Sequence, residues 1–216
     1  MSDRKISISI PKQDVSSLDL VSFPGEIVVI DTPEAADQAV EELSREAIVG
    51  FDTETRPSFR KGKTNNVALM QISTETKAYL FRLNKIGLVD SLLHFIENPD
   101  IIKVGLSIRD DFFVMHRSDE FEPQGFVELQ SFVRDYCIVD CSLQRIYAIV
   151  FGGRISKSQR LSNWEAATLT KAQQTYAAID AWACLRLYKY LLSGAFKPED
   201  SAYILPEEGS QQQENQ

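Results

Sequence analysis

Residues 48–54 form a short apolar run that ends in two carboxylates, Asp52 and Glu54. The run predicts a buried strand, and the alternation of strand side chains places both acids on one face, about 6 to 7 Å apart. Because ligands of open α/β sheets gather at the carboxyl ends of strands, the pair is a candidate cation site. An isolated D-x-E is better explained as a solvated strand end, so acids elsewhere in the chain must decide between the two interpretations.

A long helix near the C-terminus carries the most informative of those acids. Thr170 and Gln173 form a capping box that starts the helix, and Gly194 is a typical stop. One apolar stripe at helical spacing consists of Ala172, Tyr176, Ile179, Ala183, Leu187 and Leu191. Asp180 falls inside this stripe, one turn after Tyr176. A buried aspartate needs a bound metal or a paired cation, so either a metal site or a buried ion pair with an arginine is predicted here.

Two adjacent aspartates, Asp110 and Asp111, follow a short strand that ends at Gly105. A strand-to-helix junction lies at the carboxyl edge of the sheet, where a carboxylate could join a site. Most such aspartates only favour the helix N-terminus electrostatically, so this signal is weak by itself. The residues alone do not distinguish Asp110 from Asp111.

Several classes of function are excluded by composition and spacing. The three cysteines and two histidines do not have the spacing of a zinc site or an evident catalytic triad. No apolar run is long enough to span a membrane, and no signal peptide opens the chain, so a cytoplasmic protein is expected. The net charge of −8 argues against a broad basic face that holds nucleic acid. It leaves nucleic acid possible as a substrate, because an acidic site that collects divalent cations offsets phosphate charge.

Two basic segments are candidates for nucleic-acid binding, one after the Asp52 strand and one in the glycine-containing stretch 152–160. Solvated basic loops are an equally good interpretation of both. The candidate nucleic-acid-binding residues are Arg56, Arg60, Lys61, Lys63, Arg154, Lys157 and Arg160.

Strand and helix patterns alternate along the chain, which predicts one α/β domain of 26–195 between an N-terminal extension, 1–25, and an acidic, disordered tail, 196–216. Thr32 and Pro33 open the first helix of this domain. Strands are predicted at 26–31, 47–54, 67–73, 77–83, 101–105 and 126–129, and helices at 33–45, 88–98, from 108, within 131–150, and at 171–193. The pair 67–73 and 77–83 is a predicted hairpin.

Taken together, these motifs resemble the DEDDy 3'-5' exonucleases, the family of ribonuclease D and of the Werner-syndrome helicase exonuclease domain. The first family motif is D-x-E in a core strand, here Asp52 and Glu54. The second is an aspartate after a strand ending in glycine, and the spacing from Gly105 selects Asp111. The third is Y-x3-D on a late helix, here Tyr176 and Asp180. The segments 67–72, 126–129 and 162–170 are also similar, so the resemblance covers about residues 26 to 193.

The resemblance implies a ribonuclease H-like mixed sheet flanked by helices, and an enzyme that hydrolyses nucleic acid from the 3' end to nucleoside 5'-monophosphates. Two divalent cations, Mg²⁺ or Mn²⁺, are the implied cofactors, as oxygen-only ligands select hard cations. Asp52 would bridge both ions, Glu54 and Asp180 would complete the first site, and Asp111 would hold the second.

Three expectations accompany this assignment. Tyr176 would orient the attacking water as a neutral phenol. DNA is favoured over RNA as the substrate. The alternative function is a catalytically silent module of the same fold that binds nucleic acid or protein. A silent relative should have lost a metal ligand, and this chain retains every acid, so the enzyme is favoured.

Overall fold

The computed structural model describes residues 6–60, 62 and 64–206. Its centre is one six-stranded sheet with the strand order β1-β4-β3-β2-β5-β6. The strands are β1 (Glu26–Ile30), β2 (Ile48–Thr55), β3 (Val67–Ser73), β4 (Lys77–Phe81), β5 (Ile102–Gly105) and β6 (Phe126–Glu128). Strand β3 runs antiparallel to both β2 and β4, whereas the β1–β4, β2–β5 and β5–β6 pairs are parallel. This mixed sheet confirms the predicted hairpin and the predicted fold class.

Helices cover both faces of the sheet. They are α1 (Lys12–Ser17), α2 (Pro33–Leu43), α3 (Leu83–Ile86), α4 (Asp90–Glu97), α5 (Ile108–Met115), α6 (Leu129–Phe132), α7 (Leu143–Phe151) and α8 (Lys171–Leu192), with 3-10 turns at Val133–Tyr136 and Pro198–Asp200. The predicted caps are present: Thr32 accepts from the Ala35 amide, and Thr170 and Gln173 form the capping box of α8. Over the described part of the chain, no helix has the length and apolar content to cross a membrane.

The sheet separates two main parts of the core. Val49 and Phe51 of β2 face α2, α4 and α5, and Phe51 packs edge-on against Phe126. The opposite face of β2 lies under α8, where Gly50 faces the carbonyl of Ala181. A Cβ at Gly50 would overlap that carbonyl oxygen, so glycine here lets the α8 backbone lie directly on the strand. The close approach brings the middle of α8 to the end of β2.

Helix α8 is buried around more of its circumference than one stripe predicts. Outside the stripe, Ala177, Ala178, Ala181, Trp182 and Leu185 are also buried, because α8 is enclosed between the sheet on one side and α7 and the N-terminal segment on the other. The prediction was wrong for the first stripe member, as the side chain of Ala172 is exposed.

The N-terminal extension is part of the core. Ile8 and Ile10 are completely buried, and Ile8 forms bridges to Ile138 and, antiparallel, to Ile204. In the part predicted as the start of the tail, the Tyr203 carbonyl accepts from the Ser9 amide and the Leu205 amide donates to the Ser7 carbonyl, so residues 203–205 lie against the extension. Residues 207–216 of the predicted tail lie outside the described residues.

Candidate active site

Three carboxylates from two elements meet above the centre of the sheet. Asp52 and Glu54 project from the end of β2 toward α8, and Asp180 comes from the middle of that helix. One carboxylate oxygen from each lies within 4.8 Å of the others. The strand supplies two of the acids through its alternation, and the close contact of α8 at Gly50 supplies the third.

Asp180 is buried, as its position in the apolar stripe predicts, with 7% of its surface exposed. The alternative of a buried ion pair with an arginine is not found: within the described residues, no lysine or arginine nitrogen lies within 4.0 Å of the Asp180 carboxylate. The carboxylate instead faces the other acids and interacts with Tyr176 one turn earlier. A buried acid of this kind is typical of a cation site.

Asp111 reaches the same cleft from the first turn of α5. The hydroxyl of Thr53, the residue between the two acids of β2, donates to its carboxylate at 2.6 Å. Asp110, its neighbour, is exposed and does not line the cleft. The geometry thus brings Asp111, and not Asp110, to Asp52, Glu54 and Asp180.

Glu128 fixes the start of the helix that carries Asp111. Its carboxylate accepts hydrogen bonds from the backbone amides of Ser107 and Ile108, both at 3.0 Å. Ser107 has a left-handed backbone, with φ of 63°, so the turn into α5 is held in a rare conformation. Sequence reasoning missed Thr53 and Glu128 as site residues. The available signal was position, since Thr53 lies inside the D-x-E motif and Glu128 is the last residue of β6 at the same sheet edge.

Burial and mutual repulsion shift the protonation of the acids. Burial, followed by the charges of Asp180, Glu54 and Asp111, raises the pKa of Asp52 above its ordinary value. Burial, followed by the charges of Asp180 and Asp111, raises the pKa of Glu54 to about 9, although Arg160 partly opposes the shift. Closely spaced carboxylates in a partly buried site do not all ionise readily, so the site favours a bound cation.

The pKa values of Asp111 and Asp180 are also raised, and burial is again the largest cause. Burial raises the pKa of Asp111 to about 7, and the hydrogen bond from Thr53 limits that rise. Burial also raises the pKa of Asp180 to about 7, while hydrogen bonding to Tyr176 and the charge of Lys157 act in the opposite direction. Both groups change charge near neutral pH.

Tyr176 stands beside the acids as a neutral phenol. Burial, then the charges of Asp180 and Glu54, raise the pKa of its hydroxyl above the ordinary value. Its ring packs against the fully buried ring of Trp164, with the centroids 6.0 Å apart. Tyr176 therefore keeps its proton and can donate a hydrogen bond into the cleft.

The cleft has a volume of about 470 Å³, and two of the predicted basic residues, Lys157 and Arg160, line it together with the acids and Tyr176. Three others point elsewhere: Arg56 forms an ion pair with Glu165 at 3.0 Å, Arg154 donates through Nε to the Leu18 carbonyl, and Arg60 is exposed outside the cleft lining. Lys61 and Lys63 lie outside the described residues.

The donor set fits a hard divalent cation. Asp52, Glu54 and Asp180 offer oxygen ligands only, and these converge closely enough to share one ion. Asp111 enters from the other side of Thr53, where it could serve a second ion. The arrangement suits Mg²⁺ or Mn²⁺ better than zinc, which takes nitrogen and sulfur ligands.

Comparisons with known proteins agree with this geometry. The family model described as 3'-5' exonuclease matches residues 27–194. The mouse bifunctional 3'-5' exonuclease/ATP-dependent helicase WRN is 33% identical in an alignment of 185 residues that covers 81% of this chain and 13% of that protein. An Arabidopsis thaliana 3'-5' exonuclease is 32% identical over 67% of this chain and 52% of its own length. The chain thus spans about half or less of either relative.

A solved structure supports the fold. The crystal structure of Escherichia coli RNase D superposes with a TM-score of 0.69 and 22% identity, covering 77% of this chain and 44% of that one. At this identity, the likeness concerns the fold, which is the ribonuclease H-like arrangement that the sequence motifs imply.

Proposed function

The chain belongs to the 3'-5' exonuclease family, and on that basis we propose that it is a metal-dependent enzyme that shortens nucleic acid from the 3' end. The observation that carries the proposal is the convergence of Asp52, Glu54 and Asp180 within 4.8 Å, beside Asp111 and Tyr176 in one cleft. These partly buried carboxylates repel one another when no cation is bound, which is electrostatically costly. The presence of all of them in one cleft therefore favours a catalytic role over a silent binding role.

The carboxylates divide naturally between two cation positions. Asp52 is central and would contribute to both, Glu54 and Asp180 would complete one, and Asp111 would serve the other, in part through water. When bound, Mg²⁺ or Mn²⁺ would lower the pKa of an attacking water and offset the charge that develops on the phosphate oxygens. Thr53 and Glu128 keep Asp111 in place by the hydrogen bonds described above.

Tyr176 and the two cleft cations act on the substrate. The protonated hydroxyl of Tyr176 would orient the attacking water, since its raised pKa excludes a role as a strong base at neutral pH. Lys157 and Arg160 line the cleft and would hold the scissile phosphate. The water oxygen forms a bond to phosphorus, the bond to the 3' oxygen of the preceding nucleotide breaks, and that oxygen takes up a proton. The products are a nucleoside 5'-monophosphate and a strand shorter by one nucleotide.

A direct assay tests the enzyme proposal. Protein with 5'-labelled 3'-overhang duplex DNA and, separately, 5'-labelled single-stranded RNA is incubated in Mg²⁺ or Mn²⁺, beside an Asp52→Ala variant. We expect a ladder that shortens from the 3' end with the native protein only, and 5'-monophosphates as the released product. Absence of shortening, or equal activity of the variant, would refute the proposal.

We propose DNA as the preferred substrate. The support is the sequence identity with the mouse exonuclease/helicase, 33%, which is higher than the 27% and 29% found with two bacterial ribonucleases D. Single-stranded DNA and RNA 12-mers of one sequence, compared by kcat/KM under identical salt and metal, test the preference. A higher kcat/KM on RNA would reverse it.

A further inference from the structure

A second cavity adjoins the catalytic cleft on the side of the N-terminal extension. This N-terminal groove has a volume of about 340 Å³ and is lined by Lys12, Val15, Ser16, Gln144, Arg145, Arg154 and Lys157. Gln144 and Lys157 line both the groove and the cleft, so the two spaces are adjacent. A bound strand could pass from one into the other.

The extension is fastened where it forms the groove wall. Arg145 of α7 donates through Nε to the Ile10 carbonyl at 3.0 Å and forms an ion pair with Asp140 at 2.7 Å. Asp140 also accepts from the Ile10 amide at 3.0 Å. Lys12 follows two residues later, so a fixed backbone carries its exposed side chain to the groove.

The groove is basic, in contrast to the chain as a whole. Among the residues that the structure describes, its lining includes four cationic side chains and no acid, whereas the chain has a net charge of −8. Arg145 is offset by Asp140, and Arg154 uses its Nε for the Leu18 carbonyl. Lys12, Lys157 and the terminal amino groups of Arg154 have no ion-pair partner in the portion of the chain that the structure describes. Such a surface attracts phosphates.

A different space also adjoins the cleft, and its charge distinguishes it. This cavity of about 310 Å³ shares Ile155, Ser156 and Tyr176 with the cleft, but Lys171 is the only cationic residue that lines it within the described part of the chain. When the 3' end of a strand lies in the cleft, the rest of the strand extends out of the cleft toward its 5' end. Each further nucleotide of this segment carries one more phosphate. Electrostatics therefore favours the N-terminal groove as the path of that strand.

We propose that the N-terminal groove binds the backbone phosphates of the nucleic acid strand on the 5' side of the scissile bond, with Lys12 of the extension as one contact. The inference rests on the proposed exonuclease function. It assigns the extension a role in substrate binding, and it explains how an acidic protein can hold a polyanion: the phosphates follow a local cationic track beside the metal-binding acids.

Substrate length is the critical variable in the test. The full chain with Lys12→Gln is compared with the native protein on a DNA dinucleotide and on a single-stranded 12-mer of the same 3' sequence. Loss of one phosphate contact should lower kcat/KM on the 12-mer roughly fivefold at 0.1 M salt, as expected from a single-strand counterion slope of about 0.7 per contact. The kcat/KM on the 12-mer divided by the kcat/KM on the dinucleotide should therefore also fall. Lys12→Glu should lower this ratio further.

A matched control and a binding assay complete the design. Lys197 is exposed and lies outside the groove and the cleft, so Lys197→Gln should leave the ratio unchanged. Binding of the 12-mer is measured by fluorescence anisotropy at several salt concentrations, with the Asp52→Asn protein and with an Asp52→Asn/Lys12→Gln double variant. The slope of the logarithm of the binding constant against the logarithm of the salt concentration should be smaller by about 0.7 in the double variant. If neither the kcat/KM ratio nor the salt slope changes, the proposal that the N-terminal groove binds phosphates is refuted. An inactive native protein refutes the exonuclease function alone, because the binding assay needs no turnover.

Discussion

The hydroxyl of Thr53 lies 2.6 Å from the carboxylate of Asp111 and connects the end of β2 to the first turn of α5. Thr53 sits between Asp52 and Glu54, so a single strand segment supplies two acids and orients a third. The carboxylate of Asp111 has little rotational freedom as long as that bond is present. The position of the second cation site should therefore depend on a residue that binds no metal itself.

Replacing Thr53 with valine keeps the side-chain shape and removes the donor. We expect exonuclease activity to fall about 10- to 100-fold and the Mg²⁺ concentration for half-maximal activity to rise, as for the loss of a hydrogen bond to a metal ligand. Thr53→Ser keeps the hydroxyl and should retain most of the activity. Steady-state rates at a series of Mg²⁺ concentrations provide the measurement, and a valine variant with native kinetics would show that the bond is dispensable.

The adjacent aspartates should differ sharply on substitution. Asp111→Asn removes a charge from the cleft and should lower kcat about 100-fold or more. Asp110→Asn alters an exposed side chain outside the cleft lining and should change kcat by less than about threefold. Rates of the two variants on the same DNA 12-mer decide the point. A larger loss with Asp110→Asn would move the second-motif ligand to that residue.

Stability of the metal-free protein should fall as pH rises. The pKa values of about 9 for Glu54 and about 7 for Asp111 and Asp180 lie above the unfolded values near 4. A raised folded pKa gives stability that is complete below the unfolded pKa and is lost as pH rises through the folded pKa. The loss should therefore extend from about pH 4 to pH 9.

Divalent cations should reverse that loss, because they bind the ionised carboxylates. Thermal unfolding at pH 5.5, 7 and 9, with EDTA or with Mg²⁺ or Mn²⁺, measures both effects. The rise in Tm caused by metal should be larger at pH 9 than at pH 5.5. An Asp52→Ala/Asp180→Ala double variant is the control and should lose most of this dependence. A metal effect independent of pH would contradict the assignment of these acids as ligands.

Gln71 of β3 is the pairing partner of Asp52 and is fully buried. Neither its amide nitrogen nor its amide oxygen has a hydrogen-bond partner among the described residues. Gln71→Met keeps the volume and removes an unpaired amide, so it should raise the free energy of unfolding of the metal-free protein by about 1 kcal/mol.

Activity should move in the opposite direction for the same substitution. The amide lies on the same face as Asp52, where it can support the ionised carboxylate, so we expect a loss of about 10-fold in kcat/KM. Urea unfolding and DNA hydrolysis of Gln71→Met are compared with Gln38→Met, an exposed control on α2. A less stable Gln71→Met protein would show that the amide is satisfied in solution.

Local sequence patterns predicted much of the fold. Alternation and apolar runs located the strands, and the capping box of Thr170 and Gln173 located the start of α8. Asp180 was predicted as a site residue because a buried carboxylate in an apolar stripe needs a bound metal or a paired cation. The structure places it with Asp52 and Glu54.

Features that depend on contacts distant in sequence were not predictable in this way. Residues 1–25 were predicted only as an extension of the domain, because the burial of Ile8 depends on Ile138 and Ile204, far along the chain. Local charge also did not determine where long side chains point: Arg56 reaches Glu165, more than 100 residues away, and not the cleft. The roles of Thr53 and Glu128 became visible only when their partners were in place.

The hydrogen bonds of Asp140 and Arg145 to the backbone of Ile10 indicate where the folded domain begins. Similarity to the family starts at residue 27, yet Ile8 and Ile10 are completely buried in the same core as α7 and α8. A protein cut at residue 27 would expose that core and leave Asp140 and Arg145 without their backbone partners, and its melting temperature should fall well below that of the full chain. We therefore expect the cooperative folding unit to include residues on the N-terminal side of the family-model match, which starts at residue 27.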